Sequence, residues 1–570
     1  MRGLSRARAV LLCTSAVGIA LSAGASSPVT RARAASPPTF ASPIKLPTST
    51  GGEPSLAIDY GSCTAGVNCK MYIVSPNATA SGPAEWYSYD SGATWGTPVQ
   101  IDTQQPTRGG DTDVTVQPGP GTNTGNVIVT DLNVSNSFVQ VSTDHGKTFN
   151  TGFPTAYEDD RPWLTAAGQS TVYLAYHDFV GEVPIVCKST DGGVTFISCT
   201  HAFTNTSVSD CVENTVPARY FVVDPTDATG NTLNFMYACS TLAENAAHPP
   251  YGPLHDYYLA QSTDGGTTYL TTHTVFHADT SGGKAPNYAN IFGNFAEDAA
   301  GNYYAMFSGT ADDHHVLSNP FHVYYVWSPD KGKTWNGPYR VDTDAAGTHT
   351  LASFAVTGAG NIDAVWYGDP ANTGEPNGQC GSTGQATACQ DGTTYVGMDG
   401  QNGKACPAAT PPATTSCPVT GNWKVYMTQT TNANTVGGAT WSAPQAIDPN
   451  YRHYGTICTN GIVCGGASDR HLLDFISVAV DCGGLAHVTY GADQNTSVAH
   501  TVPQSFTDGA LETDVVNQTG GQALAAPLGC AGAAVITPEV PLAALLPLGA
   551  LLAVAAVGIG RRRRRSAATA

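Results

Sequence analysis

The chain has 570 residues, 44 acidic against 25 basic, for a formal net charge of −19 at pH 7. Ten of the sixteen arginines lie at residues 1–33 and 561–565, so the intervening chain has 15 basic against 44 acidic residues. A surface that acidic repels nucleic acid and anionic lipid, which excludes nucleic-acid binding as a function.

At the N-terminus, Arg2, Arg6 and Arg8 precede an apolar run from Ala9 to Leu21 and then Ala23-Gly24-Ala25. This order predicts a signal peptide over 1–25, cut after Ala25, and a linker over 26–37. The alternative, a lipoprotein anchored at Cys13, is disfavoured by bulky Leu12 before the cysteine. Export fits the cysteine count: without Cys13, fourteen of fifteen remain, an even number suited to disulfides. The close spacings suggest Cys63–Cys69, Cys187–Cys199, Cys211–Cys239, Cys380–Cys389, Cys406–Cys417, Cys458–Cys464 and Cys482–Cys530, each short loop contributing roughly 2–3 kcal/mol. No Cys-x2-Cys pair is present for zinc.

An octapeptide Ser-x-Asp-x-Gly-x-Thr-aromatic recurs at 88–95, 142–149, 189–196, 262–269 and 328–335, with a worn sixth copy at 437–441. As a hairpin turn it has a physical logic. Ser and Asp cap backbone N–H groups, Gly supplies a positive φ, and Thr and the aromatic start the returning strand. Before the boxes stand pairs of alternating strands around a Gly-rich turn. They read 55–59 with 71–74, 113–116 with 126–129, 162–165 with 171–175, 220–223 with 233–237, 292–296 with 303–307, 353–356 with 362–366, and 475–480 with 486–490, seven units in all.

Four-stranded units hide both faces only by stacking around an axis. The fold class is therefore all-β, a seven-bladed β-propeller over 38–500; a six-bladed ring with one appendage is the alternative. The last unit lacks an outer strand, and Ala41–Leu46 resembles the strands that follow the boxes, so the N- and C-terminal strands are expected to close the ring.

The octapeptides resemble the Asp-box (BNR repeat) family, which includes sialidases and related propellers. The resemblance implies structural roles for Asp90, Asp144, Asp191, Asp264 and Asp330, on the face opposite the ligand site. On the ligand face, the loops entering the inner strands carry Arg108 with Asp111 and Asp113, Glu158-Asp159-Asp160-Arg161, Arg219, Arg452-His453, and Asp469-Arg470-His471 with Asp474. Guanidinium forks bind carboxylates, so Arg161, Arg219, Arg470, Arg108 and Arg452 are candidate ligand-binding residues. The alternative is that each Arg ties a neighbouring carboxylate and braces the ring.

A sialidase-type glycoside hydrolase would use Arg161, Arg219 and Arg470 as its carboxylate clamp and Asp160 as acid/base. The family's Phe/Tyr-Arg-Ile-Pro motif is absent, and no residue matches its nucleophile. The non-catalytic alternative is an adhesion propeller that binds glycan or protein.

Asp312, Asp313 and His314 form a candidate site for a structural divalent cation, the one cofactor these loops suggest. His177-Asp178 and His255-Asp256 offer similar ligands. Residues 368–422 form a long Gly/Pro/Thr-rich insertion suited to a rim or lid.

After a C-terminal extension over 501–539, residues 540–560 are uncharged and are followed by Arg561–Arg565 in a basic tail over 561–570. As a helix the span is about 31 Å long, enough to cross a bilayer. The arginines place the tail in the cytoplasm. Together these features predict a monomeric single-pass cell-surface protein whose partner is an extracellular glycan or glycoprotein.

Overall fold

In the computed structural model the described residues are 37–63, 68–76, 83–101, 110–119, 122–133, 135–178, 180, 183–202, 216–217, 219, 221–227, 229–239, 256–281, 286–288, 293–311, 320–343, 347–370, 422–454, 457, 472–493, 497 and 511–530. They build seven antiparallel sheets in a ring, a seven-bladed β-propeller, as the repeat predicts.

Blade 1 runs outward through Ser55–Asp59, Lys70–Ser75, Ala84–Ser88 and Val99–Gln100. Blade 2 comprises Thr112–Val116, Val127–Asn133, Asn136–Ser142 and Phe153–Pro154; blade 3 comprises Asp159–Ala167, Thr171–Asp178, Val183–Ser189 and Ser198–His201. Blade 4 has a split inner strand, Val216–Pro217 and Val222–Val223, then Leu233–Cys239, Asp256–Ser262 and Thr271–His277. Blade 5 is Asn294–Glu297, Tyr303–Gly309, His322–Ser328 and Asn336–Arg340. Blade 6 is Thr348–Val356, Ile362–Asp369, Asn422–Thr430 and Gln445–Ala446.

Blade 7 joins both ends of the chain. Ser477–Val480, Ala486–Ala492 and Glu512–Gly520 are completed by Thr39–Phe40 and Ile44–Lys45, with Ile44 opposite Val515 and Thr39 opposite Gly520. The expected closure is thus present. Its third strand, however, falls in the segment 501–539 that the sequence reading sets outside the propeller. Nothing but continued sheet pairing marks that strand, because it is polar along much of its length and carries no box.

The core lies between neighbouring blades rather than inside any one. Tyr304, Met306 and Tyr325 of blade 5 pack against Phe354, Ile362 and Trp366 of blade 6. Tyr72 and Val74 of blade 1 pack on Val114, Val127 and Val129 of blade 2. Trp86, Trp163, Trp366 and Trp423 are fully buried, and each large apolar side chain removed from water contributes roughly 2–3 kcal/mol.

The boxes fasten these contacts. In the first, Ser88 Oγ donates to Asp90 Oδ1 (2.7 Å) and accepts from Gly92 N (2.9 Å), while Asp90 Oδ1 accepts from Thr94 N (2.9 Å). The same bonds recur around Asp144, Asp191, Asp264 and Asp330. The sixth box keeps part of this pattern in a disguised form. Asn432 accepts from Thr430 Oγ1 (2.8 Å) and Thr440 N (2.9 Å) across a turn four residues longer than the others.

Box glycines are required twice over. Gly146 has φ +84°, and a Cβ there would sit 2.4 Å from Glu85 Oε1 and 3.1 Å from the Tyr72 ring of the preceding blade.

The predicted bridges Cys63–Cys69, Cys187–Cys199 and Cys482–Cys530 are formed. Cys239 is also disulfide-bonded, whereas Cys211 and the other predicted pairs lie outside the described residues. Among the described residues no helix is long and apolar enough to cross a membrane; the predicted span 540–560, like the signal peptide, lies outside them.

Candidate functional site

Because strands alternate in direction, the box turns sit at the far end of each blade from the residues that enter the inner strands. Those entering residues converge on one mouth around the axis. Arg161 of blade 3 is among them. Its Nη1 donates to Asp474 Oδ2 of blade 7 (3.2 Å), and its Nε lies 3.3 Å from Asp160 Oδ2.

Burial works against the Arg161 charge, but the carboxylates of Asp160, Asp474, Asp111 and Glu53 outweigh it and hold the guanidinium above its ordinary pKa. These four acids come from blades 3, 7, 2 and 1. Glu53 and Asp474 are 1% exposed and Asp111 8%, whereas the Asp160 side chain is 38% exposed and is the most accessible acid of the group.

The backbone at this rim is unusual. Glu53, Arg161, Leu351 and Leu473 all have φ between +48° and +59°; Glu53 and Leu473 lie just before two inner strands, and Arg161 and Leu351 lie within two others. Register breaks between Asp160 and Trp163 and between Thr350 and Ser353 accompany two of them. Left-handed conformations in non-glycine residues are strained and persist where the surroundings over-determine them; bulges of this kind re-aim side chains.

Arg219 lies beneath the mouth and closes the axis. Its side chain is fully buried, donates through Nη1 to Ile476 O and through Nη2 to Ser477 Oγ (2.6 Å), and stacks 4.0 Å from the Phe475 ring. Trp163 meets Phe475 edge-on at 5.3 Å, so the floor is aromatic.

Around this spoke the inner strands are tied in sequence. Ser55 Oγ donates to Asp113 Oδ1 (2.6 Å), and Asp113 Oδ2 accepts from Leu164 N (2.8 Å). Arg219 N donates to Gly293 O (3.1 Å), and Asn294 Nδ2 donates to Ala352 O (2.6 Å). These bonds link blades 1, 2 and 3 and blades 4, 5 and 6, and Arg219 joins blade 4 to blade 7.

The candidate residues therefore separate. Arg161 and Asp160 meet at the mouth. Arg219, expected to hold a ligand, is fully buried: its backbone pairs with Asn294 of blade 5 and its guanidinium is bonded to Ile476 and Ser477 of blade 7. Arg452 is also buried, within reach of Asp448, Glu512 and Asp514, with Tyr490 donating to Asp448 (2.7 Å); it braces blades 6 and 7. His453 meets Asp493 at 2.9 Å. Arg108, Arg470 and the proposed cation ligands Asp312, Asp313 and His314 lie outside the described residues.

Glu53 escaped the sequence reading, which singled out arginines and their neighbours; its position just before an inner strand was the available signal. A separate cleft of about 630 Å³ between blades 4 and 5, lined by Gln261, Tyr303, Lys331 and Lys333, lies at the box end, away from Arg161.

No protein-family model matches the chain. No curated protein matches it. Among solved structures it is similar to a PL25 ulvan lyase bound to a GlcA(1-4)Rha3S saccharide, at 14% identity and a TM-score of 0.39 over 58% of this chain and 85% of that one. It is similar to a GH93 α-L-arabinofuranosidase of Fusarium graminearum in complex with arabinobiose, at 12% identity and a TM-score of 0.36 over 57% of this chain and 92% of that one. It is also similar to the NanB sialidase of Streptococcus pneumoniae, at 10% identity and a TM-score of 0.34 over 57% of this chain and 67% of that one. Likenesses at these scores carry no argument about the site.

Proposed function

We propose that this protein is an extracellular glycan-binding propeller, displayed on a cell surface by its C-terminal apolar span, that holds its ligand over Arg161. The observation that carries this reading is the strained, left-handed Arg161 at the mouth, ringed by acids from four blades. Four carboxylates beside one guanidinium suit a polyhydroxylated ligand, whose hydroxyls donate to the acids and accept from the arginine in charge-assisted bonds. A lone anion fits less well, and with Arg219 committed to the axis the three-arginine clamp of a sialidase loses one member. Neutral glycans are therefore favoured over sialosides.

Asp160 is the accessible acid for general acid/base work if a glycosidic bond is cut. The second reading, binding without cleavage, rests on the commitment of Arg161 and Asp474 to each other at 3.2 Å.

An array of neutral and sialylated oligosaccharides, probed with the wild type and with Arg161→Ala, tests the proposal. The expected result is binding to neutral glycans that falls about tenfold or more in the variant, the loss of one or two charge-assisted bonds. Equal binding by both proteins, or none by either, would overturn it. Product release by the wild type that disappears in Asp160→Asn, with binding retained, would assign hydrolysis; binding with no product would assign the adhesion role.

A further inference from the structure

The mouth-side ends of blades 5 and 6 hold a second cluster. His322 opens the third strand of blade 5, Asp342 follows its outer strand, and His349 lies in the inner strand of blade 6. His322 Nδ1 is 2.7 Å from Asp342 Oδ2, His349 Nδ1 is 3.9 Å from the same oxygen, and one ligand atom from each residue lies within 4.8 Å of the others. Asp342 is fully buried, and the side chains of His349 and His322 are 2% and 15% exposed.

Part of this arrangement is ordinary. Blade 4 closes the same strand ends with Asp256 and His277 at 2.7 Å, a two-residue clasp. Blade 5 repeats the clasp and adds a second imidazole from the next blade, which the clasp itself does not need.

The geometry points to a divalent transition-metal site, filled best by zinc, with His322, Asp342 and His349 as ligands. Two imidazoles and a carboxylate, with a fourth position left for water, form a recurring zinc set; calcium and magnesium demand more oxygens. Ligands around tetrahedral zinc lie roughly 3.3 Å apart, given metal–ligand bonds near 2 Å. The observed 2.7 and 3.9 Å to the shared Asp342 oxygen bracket that spacing, and the third separation is within 4.8 Å.

Arg340 occupies the charge position meanwhile. Its Nε and Nη2 donate to Asp342 Oδ2 at 3.1 and 2.9 Å, yet its side chain is 40% exposed and can swing into water when an ion takes over. Arg340 is thus a competitor of the metal.

The test is zinc uptake by the intact chain after chelator treatment and dialysis, read by elemental mass spectrometry, with cobalt absorption reporting coordination. One zinc per chain is expected, undisturbed by excess magnesium or calcium. Affinity should drop about 100-fold or more in His349→Gln and rise about tenfold in Arg340→Gln, which removes the rival cation. The gain in Arg340→Gln cannot come from misfolding, which guards against a structural artefact in the histidine variant. A wild type without zinc, a His349→Gln protein that retains as much, or weaker binding in Arg340→Gln would overturn the assignment. Zinc held instead by Asp312, Asp313 and His314 would show as full retention in His349→Gln.

Discussion

Replacing Arg219 by methionine is expected to destabilise the propeller by about 3–5 kcal/mol, the usual cost of removing one partner from a buried charged network. The variant leaves the Ile476 carbonyl and Ser477 hydroxyl facing an apolar side chain and strips the cation–ring contact with Phe475. It also removes a positive charge that works against burial in lowering the pKa of Asp113, which is raised overall. Urea unfolding midpoints of the wild type, Arg219→Met and Arg219→Met/Asp113→Asn check this. The double variant should recover part of the loss, because the two groups share one network. A single variant within about 0.5 kcal/mol of wild type, the range of ordinary surface changes, would contradict the spoke.

The second large effect is on pH. Several carboxyl groups are buried in the blades. Burial pushes the Asp363 carboxyl up to about 8 against a bond to Gln429, and raises Asp159 to about 6 against its bonds to Ser137. Burial also holds Glu85 and Glu297 well above the ordinary range, and raises Asp514 despite Arg452.

In the unfolded chain these groups titrate near 4. Between that pH and their folded values the native state holds more protons. The stabilisation is therefore complete below about pH 4 and is lost progressively as pH rises from there through the folded pKa values, about 6 for Asp159 and about 8 for Asp363.

The box aspartates work the other way. Burial opposes their charge, but Thr and Ser donors outweigh it and hold Asp144 at about 2; at Asp264, also about 2, the Thr268 hydroxyl is the leading cause. Their contribution is present above about pH 4 and fades as pH falls toward 2. Melting temperature should accordingly peak near pH 4–5 and fall between pH 5 and pH 8. Asp363→Asn should flatten that decline. A flat or rising profile from pH 5 to pH 8 would contradict the buried neutral acids.

Much of this fold was legible in the sequence because its determinants are local. Period-two alternation marked the seven inner strand pairs, the box chemistry marked five turns, and the likeness of Ala41–Leu46 to the outer strands announced the closure. What stayed hidden depends on distant partners. Glu512–Gly520 becomes a strand only beside Ala486–Ala492; the worn box at 437–441 was read, but its Asn432, set eight residues before Thr440, was not.

The site was half legible for the same reason. Arginines before inner strands were the signal read, and of the described ones Arg161 faces the mouth while Arg219 and Arg452 are buried. Arg219 bridges to Asn294 in the next blade, a partner distant in sequence. The left-handed residues Glu53, Arg161, Leu351 and Leu473 carry no glycine to advertise them.

Ring closure between the two ends of the chain is the premise behind the mouth, the spoke and every blade number. An Ile44→Cys/Val515→Cys pair tests it directly, since those residues face each other in the final sheet. Mild oxidation of the folded protein should join them in a bond seen by mass spectrometry of a non-reduced digest. Ile44→Cys/Val516→Cys should fail, because Val516 points to the opposite face. Free thiols in the first pair, or equal linkage in both, would show that the termini do not meet as described.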